Sequence, residues 1–147
     1  MLAPVPTPIG VGPQYHPKPG MHAPCAGPVE SPSRRVHIEL FANRRVIIVP
    51  PRVGVRSARC RARLWTVDPT GIVQFERPAR LGALFSVWGR ELTTRRLLSF
   101  RGGVRLYVNG VRRRGDPRTL SLRDRDEIVL EVGPFIPPHR SYLFPPH

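Results

Sequence analysis

Apolar and polar side chains alternate through much of the chain after residue 34, which predicts a β-rich domain. In the segment 35–40, Val36, Ile38 and Leu40 face one side and polar residues face the other. Further short runs of β-branched residues end at turn signals. Strands are expected at 35–40, 46–49, 60–67, 72–76, 104–108 and 127–132.

A helical period occurs in the segment ARLGALFSVWGREL. Leu81, Leu84, Phe85 and Trp88 are spaced as one face of a helix, and Gly89 supplies a stop. The pattern predicts one helix whose apolar stripe, with Trp88, packs against the sheet.

The order strand, strand, helix, strand, strand is typical of an α+β fold in which the helix covers one face of a mixed sheet. We expect a β-grasp-like (ubiquitin-like) sheet of about six strands, with a partly closed barrel as the alternative. The predicted regions are a disordered Pro/Gly-rich arm at 1–34, one α+β domain at 35–133 and a tail at 134–147. The aromatic residues of the tail are expected to lie across the domain.

The hairpin predicted at 60–76 has two chemically different faces. Its turn begins at Asp68, which we interpret as a turn residue. Alternation assigns the even-numbered positions, with Cys60, to the core and exposes Arg61, Arg63 and Trp65. Guanidinium groups beside an indole suit anionic or π-faced ligands, although any half-exposed strand of an arginine-rich protein shows them too.

The formal net charge is +14, from 24 basic and 10 acidic residues, and every basic residue except Lys18 is arginine. Such a charge points to nucleic acid, a membrane surface or an acidic protein. The arginine bias and the 19 prolines are also typical of a GC-rich genome, and the basic residues are spread over every element. The partner therefore stays open between an anionic ligand, an acidic protein surface and nucleic acid.

Cys25 and Cys60 have no metal-ligand spacing. In an oxidising compartment they would form one disulfide that pins the arm to the hairpin, whereas in a cytosol they would be ordinary thiols. No apolar run approaches the roughly 20 residues of a membrane helix. The first residues also lack the pattern of a secretory signal peptide.

No phosphate-loop, dinucleotide, zincin or hydrolase motif occurs, and His37 is the sole histidine of the predicted domain. The acidic residues Asp124, Asp126 and Glu127 are interpreted as a solvated turn because arginines separate them, with a hard-cation site as the alternative. We therefore expect no enzyme and no cofactor.

A series of short motifs runs through about three-quarters of the chain. They are RVH at 35–37, Val49-Pro50 with Val53-Gly54, Cys60, LWTVD at 64–68, GIVQFE at 71–76, LGALFSVWG at 81–89, VNG at 108–110 and GDP at 115–117. The series resembles an uncharacterised family of bacterial and archaeal extracytoplasmic domains, often found behind a membrane anchor. That family's pattern is H-x-H, V-P-x-x-I-G, C-x-x-x-L-H-T-H-D-x-x-G-I-I-H-V-E, L-G-x-F-F-x-V-W-G, V-N-G and G-D-P.

The resemblance implies an extracytoplasmic location and a cluster of histidines on one sheet face, suited to zinc or copper. The matching positions in this chain are Arg35, His37, Trp65, Val67 and Gln74, so only one imidazole remains. One imidazole beside an arginine is a poor metal site, which makes this face a degenerate, metal-free one. The candidate ligand surface is Arg35, His37, Arg61, Arg63, Trp65 and Gln74.

The sequence thus favours a non-enzymatic binding or structural domain that recognises its ligand through this surface. One alternative is a nucleic-acid-binding protein that uses the same face together with Arg112, Arg113 and Arg114. A metal-binding protein is the other alternative.

Overall fold

Two long parallel strands form the centre of the sheet in the computed structural model, which describes residues 24–30 and 34–146. Seven strands make up the main sheet, and four short strands form two separate two-stranded ribbons. In chain order the described strands are β1 (Arg34–Ala42), β2 (Arg45–Ile47), β3 (Val55–Ser57), β4 (Cys60–Arg61), β5 (Leu64–Trp65), β6 (Ile72–Phe75), β7 (Arg96–Leu97), β8 (Phe100–Arg101), β9 (Arg105–Val108), β10 (Val111–Arg113) and β11 (Glu127–Val132).

The sheet order is β10-β9-β11-β1-β6-β5, and β2 also pairs with β1. Strands β1 and β11 run parallel, with Leu40 opposite Leu130, and the other pairs of this sheet are antiparallel. The ribbons pair β3 with β4 and β7 with β8. A parallel first and last strand, with a helix between them in the chain, confirms the predicted α+β, β-grasp-like fold.

Helix α1 (Leu81–Trp88) covers one face of the sheet, as its apolar spacing predicts. Its four predicted core residues are buried, and they pack with the inward residues of β1 and β11. Gly89 adopts the left-handed conformation (φ 74°) and its N–H bonds the last carbonyls of the helix, as a glycine C-cap does. A short 3₁₀ helix (Pro117–Thr119) packs beside α1.

The opposite face of the sheet is covered by the C-terminal tail. Ile136 of the tail is buried in a second apolar cluster with Phe41, Tyr107 and Val129, all of which point away from α1. Every residue of β11 is buried as a result. The expectation that the tail lies across the domain is confirmed.

The predicted continuous strand at 60–67 is wrong, because the chain changes partner after Arg61. β4 pairs with β3, and only β5 joins the main sheet through β6. The backbone N–H of Ala62 still donates to the carbonyl of Gly54, the residue before β3, at 2.7 Å, so the change of partner falls between Ala62 and Leu64.

The segment 24–30 lies against β4. The N–H of Ala26 donates to the carbonyl of Arg61 at 2.6 Å, and the N–H of Arg61 donates to the carbonyl of Gly27 at 3.0 Å. The prediction of a disordered arm is therefore wrong for these residues, while 1–23 and 31–33 lie outside the described residues.

Cys25 and Cys60 form a disulfide whose Cα atoms are 4.9 Å apart. Of the two alternatives that the sequence left open, the structure has the disulfide, which ties the segment 24–30 to the start of β4. Across residues 24–30 and 34–146, no helix combines the length and the apolar character that crossing a membrane requires.

Candidate metal centre

Four of the candidate residues share the sheet face that the tail covers. Gln74 on β6 lies opposite Arg35 of β1 on one side and opposite Trp65 of β5 on the other. His37 follows Arg35 by two residues and so points the same way. Arg35, His37, Trp65 and Gln74, which the resemblance grouped together, therefore lie on one face of the sheet.

The predicted exposure of that face is wrong. Trp65 has 0% of its surface exposed and Arg61 only 3%, whereas Arg63 is exposed. The guanidinium carbon of Arg61 lies 3.9 Å from the centroid of the Trp65 ring, and its Nη2 pairs with Glu76 at 2.8 Å. Arg61 also donates from Nε to the carbonyl of Pro28 at 3.0 Å, so the disulfide-bound segment covers this pair from above.

The other end of the face lies under the tail. Tyr142 stacks on the His37 ring with centroids 3.6 Å apart and planes 7° from parallel. Arg35 lies over the Phe144 ring at 5.4 Å and donates to the carbonyl of Pro145 at 2.7 Å. These contacts use the guanidinium and the imidazole that the sequence predicted to be free for a ligand.

Beneath Tyr142, three metal-ligating side chains converge. The parallel register places His37 opposite Glu127, and Glu39 is two residues along β1 on the same face. His37 Nδ1 is 2.9 Å from Glu127 Oε1 and 3.9 Å from Glu39 Oε1. One ligand atom from each of the three lies within 4.8 Å of the others.

The imidazole of His37 is held in one orientation by the loop before β6. Its Nε2 lies 2.9 Å from the carbonyl oxygen of Thr70, which can only accept, so Nε2 donates. Gly71 makes this approach possible, because a Cβ at its φ of 88° would stand 2.5 Å from the carbonyl oxygen of Ile38. In the neutral ring the lone pair of Nδ1 therefore points toward the two glutamates.

Burial governs the protonation of this cluster. Burial lowers the pKa of His37 more than Glu39 raises it, so the ring is neutral at pH 7. Burial and, next, the charge of Glu39 raise the pKa of Glu127 to about 9. Glu127 consequently holds a proton at neutral pH and can donate it to Nδ1 of His37, 2.9 Å away.

His139 of the tail supports Glu39 from outside the cluster. Its Nδ1 lies 2.6 Å from Glu39 Oε1, the same oxygen that faces His37. An adjoining cavity of about 490 Å³ has apolar walls from β2 and the residues after it, among them Ile47 and Val49. The site thus has an apolar wall on one side, and hydrogen bonds from His139 and to the Thr70 carbonyl hold Glu39 and His37 in place.

The donor set fits a divalent transition metal. Zinc accepts imidazole nitrogen and carboxylate oxygen at about 2.0–2.2 Å, so tetrahedral ligand atoms are about 3.3–3.6 Å apart. The distances from His37 Nδ1, 2.9 Å to Glu127 and 3.9 Å to Glu39, bracket that spacing.

The sequence interpretation missed the carboxylates of this site. Asp126 and Glu127 are buried, with 7% and 0% of their surfaces exposed, so the solvated-turn interpretation is wrong for both. Asp124 is exposed, although its Oδ1 accepts the backbone N–H of Arg35 at 2.8 Å. The available signal was the alternation of the last strand, which places Glu127 on the same face as Glu131. Asp68 is exposed and accepts the N–H of Thr70, as a turn residue does.

Comparison of the chain with models of known protein families, with curated proteins and with solved structures gave no match.

Proposed function

We propose that the protein is a non-enzymatic domain that binds one divalent transition-metal ion through His37, Glu39 and Glu127. The observation that carries the proposal is the convergence of three ligand atoms, within 4.8 Å of one another, on a covered sheet face. Zinc suits the set best, because imidazole is a ligand for zinc, whereas calcium and magnesium prefer oxygen alone.

Charge supports the same proposal. Two carboxylates that face each other away from water repel, and in the protein alone a proton on Glu127 relieves the repulsion. A divalent ion would relieve it further, because it neutralises both carboxylates while Nδ1 of His37 supplies a third ligand. Arg35 does not oppose the ion strongly, since its guanidinium is directed to the tail at Phe144 and Pro145.

The prediction of a metal-free face counted imidazoles alone, and the proposal replaces it with a mixed His/Glu set. Arg61 and Trp65 do not offer an exposed face to a ligand or nucleic acid, because both side chains are buried. A binding role is favoured over catalysis because Tyr142 stacks flat on the His37 ring and covers that face of the imidazole.

We also propose an extracytoplasmic location. The disulfide between Cys25 and Cys60 supports it, because such bonds persist in oxidising compartments. The resemblance to extracytoplasmic domains points the same way.

Isothermal titration calorimetry, in which zinc is added to chelator-treated protein, tests the metal proposal. We expect one zinc per chain, and Glu39→Gln or Glu127→Gln should each weaken binding at least tenfold because a charged ligand is lost. The matched control is Glu91→Gln, which removes the same charge from an exposed surface pair with Arg96. Absence of stoichiometric binding, or equal weakening in all three variants, would contradict the proposal.

A further inference from the structure

An arginine-lined groove lies at the edge of the sheet and shares no residue with the candidate metal cavity. It has a volume of about 680 Å³ and runs between β10 and the loop after β8. Four glycines contribute to its lining, so few side chains obstruct approach to the backbone there. Its five lining arginines are Arg101, Arg105, Arg112, Arg113 and Arg114.

The charge of this groove is unbalanced. Arg105 is the member with a carboxylate partner, Glu131 at 3.1 Å. Within the part of the chain that the structure describes, Arg101, Arg113 and Arg114 form no salt bridge. None of the residues that line the groove in the described part of the chain is acidic. Guanidinium groups gathered in a concavity without counter-charge raise the local potential and attract anions.

Two of these arginines also reach beyond the groove. Arg113 and Arg114 line a neighbouring concavity of about 380 Å³ with Arg123, where Asp116 and Asp126 offset part of the charge. The uncompensated charge therefore lies in the groove itself, whose five arginines can pair with more than one phosphate group because each guanidinium takes up to two oxygens. An extended anion fits this arrangement better than a single ion.

The lining identifies the class of anion. Among the described residues, Val104 is the sole apolar residue that lines the groove, so the groove lacks the apolar centre on which a protein partner would anchor. No aromatic side chain of residues 24–30 and 34–146 lines it either, so unpaired bases have no stacking surface there. A guanidinium group can donate two parallel hydrogen bonds to two oxygens of one phosphate group. We propose that the groove binds a linear chain of phosphate groups, and that its arginines contact only the charged phosphates of that chain.

Fluorescence anisotropy with labelled probes tests the proposal at an ionic strength of about 0.15 M. The probes are inorganic polyphosphate and an oligothymidine of matched charge, with heparin as a sulfated polymer. We expect the two phosphate probes to bind with similar affinity and heparin more weakly. If four arginines contact phosphates, log Kd should rise with log salt concentration with a slope of about 3.

The test variant replaces Arg112, Arg113 and Arg114 with glutamine, and all three are exposed. The control replaces Arg45, Arg59 and Arg77, which are also exposed, lie outside the groove and bring the formal charge from +14 to the same +11. We expect the test variant to lose at least tenfold in polyphosphate affinity and the control less than twofold.

Equal losses in both variants would overturn the proposal, because net charge and not the groove would then bind. So would tighter binding of oligothymidine than of polyphosphate, tighter binding of heparin than of both, or no binding of either phosphate probe. None of these measurements depends on zinc.

Discussion

Replacing Glu127 with glutamine should stabilise the metal-free protein at neutral pH. The carboxyl has a pKa of about 9 in the folded protein, against an ordinary value of 4.5. Between these values the unfolded chain releases the proton and the folded chain keeps it. A raised folded pKa therefore means stability that is fully present below about pH 4.5 and is lost as the pH rises toward 9.

The size of the effect follows from this window. Each pH unit inside it removes about 1.4 kcal/mol from the free energy of unfolding, so at pH 7 the loss is about 3 kcal/mol. Glutamine is neutral in both states and avoids the loss, and its amide can donate to Nδ1 of His37 in place of the carboxyl proton. We expect Glu127→Gln to be more stable than the wild type by about 2–3 kcal/mol at pH 7 and by less than about 1 kcal/mol at pH 5.

The difference in free energy of unfolding between Glu127→Gln and the wild type is measured by urea unfolding at pH 5, 6, 7 and 8. A chelator is present throughout, and circular dichroism monitors the unfolding. Glu91→Gln is the control, and its stability should follow that of the wild type at every pH because the side chain is exposed. A difference that stays constant with pH would refute the reasoning. So would a variant that is less stable than the wild type at pH 7.

Trp65→Ala should lower the free energy of unfolding by about 3–5 kcal/mol, because the ring is fully buried; a loss below about 1 kcal/mol in urea unfolding would contradict its place in the core. Replacing both Cys25 and Cys60 by alanine should cost about 2–5 kcal/mol, measured without reductant, and reductant should then have no effect on the variant. Gly71→Ala should weaken zinc binding and lower the free energy of unfolding together, because a side chain is strained at a φ of 88°. If calorimetry shows the same zinc affinity in this variant, the contact of His37 with the Thr70 carbonyl does not contribute to binding.

The fold could be predicted because the central strands and the helix each show a local pattern of apolar and polar residues. The apolar spacing of Leu81 to Trp88 and the alternation in β1 and β11 each fix an element without knowledge of the rest. The break at Ala62 could not be predicted, because it depends on hydrogen bonds to Gly54 and to residues 24–30, which no local pattern records.

The candidate site could be predicted only in part. The resemblance grouped His37 and Trp65, and alternation separated the two faces of each strand, but the exposure of one face was inferred on the assumption that nothing covers it. Two segments without periodicity, the disulfide-bound residues and the tail, cover it. The partnership of His37 with Glu127 depends on the register of two strands far apart in the chain, which a single sequence does not contain.

The central parallel pair also determines when the site can form. His37 and Glu127 are 90 residues apart in sequence, and the histidine that supports Glu39 follows still later. Closing a loop of that length loses conformational entropy before the contacts between the strands can compensate for it. Pairing of β1 with β11 is therefore expected late in folding. During synthesis the ligands of the first strand leave the ribosome long before their partner. An ion would therefore enter a sheet that has already assembled, and metal supply would affect how long the native state lasts more than how fast it is reached.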